Sequence, residues 1–139
     1  MRQPQGGYTA ACLHVDTSAA LKLVIAEDES ARTADYLTTA ASQGDTLAAS
    51  MLLYTELPCA GRRRGIPGDL INTALSGINL VDVARPDLMY GAALPGKLRS
   101  ADAIHLATAI RLQADVLVAY HAELLAAAVE AGFAVQSPS

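Results

Sequence analysis

Residues 11–19 read A-C-L-H-V-D-T-S-A, and this stretch decides the fold. It opens with an apolar run of the length of a short strand, and Asp16 follows that run directly. Thr17 and Ser18 are residue types that cap helix N-termini, and residues 19–25 have helical composition. The stretch therefore predicts a strand, a tight turn and a helix in immediate succession.

The rest of the chain repeats this alternation of short apolar runs and longer helical runs. Composition and flanking Gly or Pro predict helices at residues 30–43, 50–64, 67–75, 86–94, 100–112 and 122–131. The runs between them predict strands at residues 46–49, 78–83, 116–119 and 134–136. This order is typical of an α/β domain with a mainly parallel sheet of four to five strands. Sites in such sheets form beyond the carboxyl ends of the strands, where Asp16 lies.

Length and composition limit the class of protein. The chain has 139 residues, which suits one domain, and its 52% hydrophobic content excludes an intrinsically disordered chain. We predict a loose N-terminal leader at residues 1–10 and a single domain at residues 11–139. The leader lacks the apolar core of a secretory signal, and no apolar run approaches the roughly 20 residues that cross a bilayer. We therefore expect a cytoplasmic protein without a membrane segment.

Charge, cysteines and hydropathy narrow the class further. The net charge of −4 argues against a uniformly basic coat for nucleic acid, although it allows a local basic groove. Cys12 and Cys59 have no zinc-like spacing to other ligands, so we expect buried thiols rather than a disulfide. The mean hydropathy of +0.27 suggests more apolar surface than a small monomer hides, so we expect a homodimer.

Three carboxylates stand out against apolar surroundings. Glu56 has Leu, Cys and Ala neighbours at helical spacing, so it lies on an apolar stripe. Asp102 lies in the first turn of a predicted helix, and Asp16 ends the first strand. Taken singly, Asp102 also suits the helix dipole and Asp16 also suits a turn. If the three converge, their repulsion is on the order of several kcal/mol unless a cation such as Mg²⁺ or Mn²⁺ lies between them.

Four short motifs follow one another in a specific order. They are V-D-T-S-A at residues 15–19, E-L at 56–57, R-S-A-D-A-I-H-L-A-T-A at 99–109 and A-D-V-L-V-A-Y at 114–120. Their order and spacing resemble the PIN-domain ribonucleases of the VapC toxin type. The resemblance implies a PIN-like three-layer α/β/α fold and a Mg²⁺- or Mn²⁺-dependent endoribonuclease that hydrolyses RNA phosphodiester bonds. It also implies the toxin of a type II toxin–antitoxin system, which inhibits translation or growth by cutting RNA, such as tRNA or rRNA, and is blocked by a VapB-type antitoxin.

The resemblance assigns the acidic pocket to particular residues. Asp16, Glu56 and Asp102 match the catalytic and metal-binding positions of the family. We expect Asp16 and Asp102 to be inner ligands and Glu56 to be a ligand or to orient the attacking water. Thr17 and Ser18 are supporting residues that either cap the following helix or bind a phosphate.

The fourth acidic position of the family has a different residue here. Ala119, Tyr120 and His121 follow the fourth strand where a carboxylate is usual. His121 is a candidate Mn²⁺ ligand, whereas imidazole suits Mg²⁺ less well, and Glu123 is an alternative from the next turn. We expect a site of three carboxylates whose second metal is weak or absent. The alternative is a non-catalytic PIN-like module that binds or scaffolds.

Basic residues and histidines complete the candidate set. Arg62 and Arg63 follow the Glu56 helix, and Lys97 and Arg99 precede the Asp102 helix, so all four are candidates for RNA phosphate contact, although a solvated charged face is the plain alternative. His14 and His105 are interpreted as structural core histidines.

Two phosphotransfer classes also place an acidic pocket on an α/β sheet. A HAD-type phosphatase needs an Asp where Ser18 stands. A receiver domain needs an acidic pair at the end of the first strand and a Lys directly after a late strand, whereas the lysines here are Lys22 and Lys97. Both classes are therefore disfavoured.

Overall fold

The computed structural model describes residues 10–139, and in that range strands and helices alternate as predicted. The strands are β1 (Cys12–Val15), β2 (Thr46–Ser50), β3 (Asn79–Val81), β4 (Val116–Val118) and β5 (Ala134–Gln136). The helices are α1 (Thr17–Leu21), α2 (Ser30–Ser42), α3 (Leu53–Arg63), α4 (Gly68–Ser76), α5 (Arg85–Ala93), α6 (Ser100–Arg111) and α7 (Ala122–Glu130). The leader predicted at residues 1–10 lies outside the described residues except for Ala10.

All five strands belong to one sheet with the order β3-β2-β1-β4-β5, and each neighbouring pair is parallel. Leu13 of β1 lies opposite Leu47 of β2 on one side and Val116 of β4 on the other. The chain order therefore reverses beside β1, and ligands of parallel sheets bind at the carboxyl ends next to such a reversal. The predicted fold class is confirmed.

Two hydrophobic cores cover the two faces of the sheet. Leu13 and Val15 of β1 belong to the first core, together with buried residues of α1, α2, α3 and α4. Leu117 of β4 belongs to the second core, together with Leu106 of α6 and Leu124 of α7. Helices therefore lie on both faces, and the predicted three-layer α/β/α arrangement is confirmed.

His14 lies between Leu13 and Val15 on β1, so its side chain faces α6 instead of the first core. It is fully buried, and its ring lies edge-on to that of His105 with 6.0 Å between the centroids. Burial, and then the neighbouring His105, lower the pKa of His14 to about 3. The ring is therefore neutral near pH 7, and neither nitrogen has a hydrogen-bond partner among residues 10–139.

Helix α1 begins differently from the prediction. Its N-cap is Asp16, whose Oδ2 accepts a hydrogen bond of 3.0 Å from the backbone N–H of Ser18. The expectation that Thr17 or Ser18 caps the helix is therefore wrong. Three residue types with similar capping ability stand in succession here, so composition alone does not select among them. The helix also ends at Leu21, short of the predicted residue 25.

Other predicted boundaries differ by a few residues. Ser50 pairs with Val81 of β3 and belongs to β2, so α3 begins at Leu53. Arg99 precedes α6 as its N-cap residue, so Ser100 is the first helical residue and not the cap. Asp102 still lies in the first turn, as predicted.

An ion pair fixes helix α6 against helix α5. Asp87 of α5 is 1% exposed, and its carboxylate accepts hydrogen bonds from Nε and Nη2 of Arg111 at 2.8 and 3.0 Å. It also accepts from Thr108 Oγ1 and from the backbone N–H of Ala84. The Arg111 hydrogen bond, with the backbone and Coulombic contributions, lowers the pKa of Asp87 despite its burial.

The two helices also approach each other closely at Gly91. A Cβ placed on Gly91 of α5 would lie 3.2 Å from the carbonyl oxygen of Ala103 in α6. Backbone cannot move aside as a flexible side chain can, so the absence of a side chain at this position sets the distance between the helices.

Two further expectations concern the thiols and the membrane. Cys12 and Cys59 are free thiols in the structure and are only partly buried, so the expectation that both are buried is wrong. Across residues 10–139, none of the helices has the length and apolar character needed to cross a membrane.

We expect Asp87→Asn to lower the free energy of unfolding by about 1–3 kcal/mol, because Arg111 then loses the charge of a buried partner. The pKa of Asp87 is lower in the folded chain than in the unfolded one. The contribution of ionised Asp87 to the free energy of unfolding is therefore complete above about pH 5. It declines as the pH falls through the pKa of Asp in the unfolded chain, about 4, towards the lower pKa in the folded chain. Urea unfolding at pH 7 and at lower pH measures both effects. Asp35→Asn, at an exposed position of α2, is the control, and an equal change in both variants would contradict the role of Asp87.

Candidate metal centre

Asp16 is held at the carboxyl end of β1 by several backbone contacts. Its N–H donates to the carbonyl of Val118 in β4 at 3.0 Å, and its Oδ2 accepts from Ser18 Oγ at 2.6 Å. Ser18 Oγ in turn accepts from the backbone N–H of Tyr120, so the loops after β1 and β4 are joined. The second oxygen, Oδ1, is buried and has no hydrogen-bond partner among the described residues.

Asp102 and His121 reach the same point from two other elements. Asp102 projects from the first turn of α6, and His121 is the N-cap residue of α7 just after β4. His121 Nδ1 lies 3.6 Å from Asp102 Oδ2. One ligand atom from each of Asp16, Asp102 and His121 lies within 4.8 Å of the others. The predicted convergence thus occurs for two of the carboxylates, and an imidazole is the third member.

The electrostatics of this cluster favour a cation. Burial, and then the charge of Asp16, raise the pKa of Asp102, with partial compensation from His121 and His105. Asp16 itself is 1% exposed. A buried carboxylate oxygen without a partner is costly, and a divalent ion would satisfy Oδ1 of Asp16 and remove the repulsion from Asp102. Two carboxylates and an imidazole are a donor set that fits such an ion.

Glu56 lies beside this cluster in a hydrogen-bonded group of its own. Its Oε1 accepts from Thr17 Oγ1 at 2.6 Å and lies 2.6 Å from Nε2 of His105. His105 is 1% exposed and also lies 3.3 Å from Thr17 Oγ1. With its proton on Nε2, His105 therefore donates to Glu56 and holds the carboxylate by one oxygen.

The hydrogen bond between Glu56 and His105 shifts the pKa of both groups. Burial alone would raise the pKa of Glu56, but the hydrogen bonds from His105 and Thr17 outweigh it and lower the pKa. Burial disfavours the charged form of His105, yet the hydrogen bond to Glu56 and the nearby carboxylates raise its pKa overall. Glu56 is therefore ionised at neutral pH.

Two clefts flank the carboxylates. The first, of about 400 Å³, is lined by Glu56 together with Arg63 and Arg64. The second, of about 420 Å³, is lined by Lys97 and Arg99. Asp102 and His121 line both clefts, so basic side chains stand on either side of the candidate metal centre.

The basic residues singled out from the sequence are not equivalent in the structure. Arg63, Lys97 and Arg99 line the clefts, whereas Arg62 points to Cys59, with 3.4 Å from its Nη2 to Sγ. Arg64, the C-cap residue of α3, also lines the first cleft. Glu123 is exposed and lines the second cleft.

Sequence reasoning missed two features of the site. His105 is buried and hydrogen-bonded, as the interpretation as a core histidine predicts, but that interpretation does not indicate that its partner is Glu56 of the site. The signal was its position three residues after Asp102, on the same helix face. Ser18 is predicted either to cap the helix or to bind a phosphate, whereas in the structure it links Asp16 to Tyr120. This link depends on the β1–β4 pairing, which no local pattern reveals.

Comparison with sequence families and curated proteins identifies relatives. Residues 13–129 match the model of the PIN domain. The chain is 34% identical over 131 residues to "Ribonuclease VapC47" of Mycobacterium tuberculosis (strain CDC 1551 / Oshkosh), with 91% of this chain and 96% of that protein covered.

Solved structures share the fold. The structure of VapBC2 from Rickettsia felis, bound to a DNA fragment from its promoter, matches with a TM-score of 0.72 at 13% identity and covers 92% of this chain and 99% of that one. VapC20 of Mycobacterium tuberculosis, described as a Sarcin-Ricin loop cleaving toxin, matches with a TM-score of 0.72 at 16% identity and covers 91% of this chain and 99% of that one. The parallel sheet, the placement of Asp16 and Asp102, and these matches agree, and the chain belongs to the PIN-domain family, as a member of its VapC type.

Proposed function

We propose that the protein is a divalent-cation-dependent endoribonuclease and the toxin of a type II toxin–antitoxin system. The observation that carries this proposal is the buried, unpartnered Oδ1 of Asp16 beside Asp102, between two clefts with basic walls. A cation at the carboxylates would stabilise the charge that develops on the scissile phosphate. The basic side chains on both sides would bind the neighbouring phosphates of the RNA backbone. Membership of the VapC type supports the same activity.

Each residue has a role in the proposed reaction. Asp16 and Asp102, with His121 as the third donor, would hold Mg²⁺ or Mn²⁺. When bound, such an ion would supply charge that polarises the scissile phosphate and lowers the pKa of the attacking water. Glu56, which is ionised because its pKa is lowered, orients that water, and the water's proton passes to solvent while its oxygen bonds to phosphorus. The P–O bond to the leaving nucleotide then breaks, and its oxygen takes a proton from solvent. Thr17 and His105 hold Oε1 of Glu56 and leave Oε2 for this task.

The substrate and partners follow from the same surface. We propose structured RNA, such as rRNA or tRNA, as the substrate, since a relative of the same fold is described as cleaving the Sarcin-Ricin loop. A VapB-type antitoxin would be the protein partner, since one structure of the same fold is a VapBC2 complex. To block the activity it would cover the two clefts, and these partners imply action in the cytoplasm. We propose a single domain at residues 11–139. Three apolar side chains on α5 are exposed and favour the expected homodimer, namely Leu88, Met89 and Tyr90.

A second candidate function rests on His121. An imidazole stands where the family has a carboxylate, and its side chain is 56% exposed. A centre that lacked affinity for the catalytic ion would leave a folded PIN-like module that binds RNA or protein without cutting. Metal-dependent cleavage separates the two functions.

We expect purified, antitoxin-free protein to cut total tRNA or rRNA at discrete positions with Mg²⁺ or Mn²⁺ and not with EDTA. Asp16→Asn keeps an acceptor for the Ser18 N–H and so preserves the helix cap, but it removes the charge that binds the ion. We expect this variant to lose at least about 100-fold in cleavage rate. Its melting temperature in EDTA should be no lower than that of the native chain, because the amide removes the repulsion from Asp102. Gel analysis of end-labelled RNA measures the rate, with Asp35→Asn as the folded control. Equal cutting by Asp16→Asn would show that the nuclease is a contaminant.

We expect His105→Leu to reduce the cleavage rate by roughly 10–100-fold, because Glu56 then loses the donor that orients it. His105→Gln retains an N–H donor and should recover most of the rate. Single-turnover cleavage with saturating protein separates this effect from RNA affinity, and circular dichroism verifies folding. If Gln and Leu reduced the rate equally, His105 would serve packing only.

We expect Arg63→Gln to weaken RNA binding without changing its sequence preference. The variant should also reduce the slope of log affinity against log salt by about one, because one phosphate contact is lost. Arg62→Gln is the matched control, since Arg62 lies on the same helix but points to Cys59. Fluorescence anisotropy with EDTA measures binding without cleavage. An effect as large for Arg62 as for Arg63 would contradict the assignment of the cleft.

A further inference from the structure

The candidate metal centre has an uncommon composition for a site that takes Mg²⁺. Its three converging donors are Asp16, Asp102 and the imidazole of His121. Mg²⁺ prefers oxygen donors at a strict octahedral distance, whereas imidazole suits first-row transition ions. Mn²⁺ accepts both carboxylate and imidazole ligands. This donor set should therefore favour Mn²⁺ over Mg²⁺ in affinity by more than a site made only of carboxylates would.

The position of His121 is suited to ligation. It is the N-cap residue of α7 with extended backbone angles, and its ring makes no side-chain cap hydrogen bond. Within residues 10–139 the only close polar contact of the imidazole ring is that of Nδ1 with Asp102 Oδ2, at 3.6 Å. The ring therefore gives up no hydrogen bond to its own helix when Nδ1 turns to an ion.

The partners of His121 are in place independently of it. Asp16 is fixed by Ser18 and by the β4 backbone, and its Oδ1 is buried and unpartnered. Asp102 is carried by α6, which Asp87 and Arg111 fix to α5. An unpartnered buried oxygen beside two other donors is what a cation would satisfy, and it is the second observation besides the cluster itself.

We propose that His121 makes this centre selective for Mn²⁺ over Mg²⁺ by ligating the ion through Nδ1. This inference rests on the cation site of the proposed function and deepens it, because it names the ion that the site selects. Glu123 is the alternative donor, because it is the carboxylate that follows His121 most closely. It is exposed and lies in the first turn of α7. A Glu123 ligand would favour Mg²⁺ and Mn²⁺ alike, so it makes the opposite prediction.

The test measures metal binding without RNA. Isothermal titration calorimetry on the full chain gives dissociation constants for Mg²⁺ and Mn²⁺ in the native protein, in His121→Asp and in Glu123→Gln. We expect the native ratio of the Mg²⁺ constant to the Mn²⁺ constant to fall by about tenfold or more in His121→Asp. Glu123→Gln should leave the ratio unchanged. The ratio is used because an added carboxylate is expected to strengthen the binding of both ions.

A spectroscopic measurement keeps the proposal falsifiable if a variant folds poorly. Pulsed electron paramagnetic resonance of bound Mn²⁺ detects nitrogen nuclei in the coordination shell. We expect a ¹⁴N coupling in the native protein and in His105→Gln, and its loss in His121→Asp. Absence of the coupling in the native protein would overturn the proposal, as would an unchanged ratio in His121→Asp.

The outcomes separate this inference from the proposed function. RNA cleavage that is equally fast with either ion, together with an unchanged ratio of the Mg²⁺ and Mn²⁺ dissociation constants in His121→Asp, would support the nuclease and contradict the selectivity. Selective Mn²⁺ binding with the nitrogen coupling, but without cleavage of any RNA, would retain the inference about the site and remove the nuclease. If neither ion bound the native protein, both would be wrong.

Discussion

The parallel pairing of β1 with β4 is the constraint on which the site depends. It sets Val15 beside Val118, so the residues that follow the two strands emerge at the same edge of the sheet. Asp16 follows β1 directly, and His121 follows β4 after a short loop. Neither residue is near the other in sequence, and only the register of these strands brings the carboxylate and the imidazole together.

Helix α6 supplies the other side of the site, and its position is set from α5. The buried Asp87 carboxylate, the Arg111 guanidinium and the side-chain-free surface of Gly91 hold the two helices close together. Asp102 and His105 both project from α6, so a shift of this helix would change the candidate metal centre and the Glu56 group together. The support of the site therefore extends well beyond the residues that touch an ion.

Periodicity and turn chemistry were enough to predict the parallel α/β fold, because alternating short apolar runs and helical runs have few arrangements. The same patterns, with the family resemblance, pointed to Asp16, Glu56 and Asp102 and singled out His121 as a departure. They did not predict which residues pair. The Glu56–His105 hydrogen bond joins residues of different helices, and the Asp87–Arg111 pair joins two more, so both depend on the packing of elements rather than on local sequence. The cap of α1 was misplaced for the opposite reason, since three adjacent residues were locally equivalent.

The two oxygens of Asp16 have separate tasks. Oδ2 caps α1 and binds Ser18, while Oδ1 is buried without a partner of its own. Folding and the proposed ion binding would thus use different atoms of one side chain. An amide in its place can still cap the helix, and Asp and Asn codons differ by a single nucleotide. The gene therefore lies one mutational step from a folded chain without affinity for the proposed ion. In evolution such a step would silence the proposed activity while leaving the rest of the molecular surface in place.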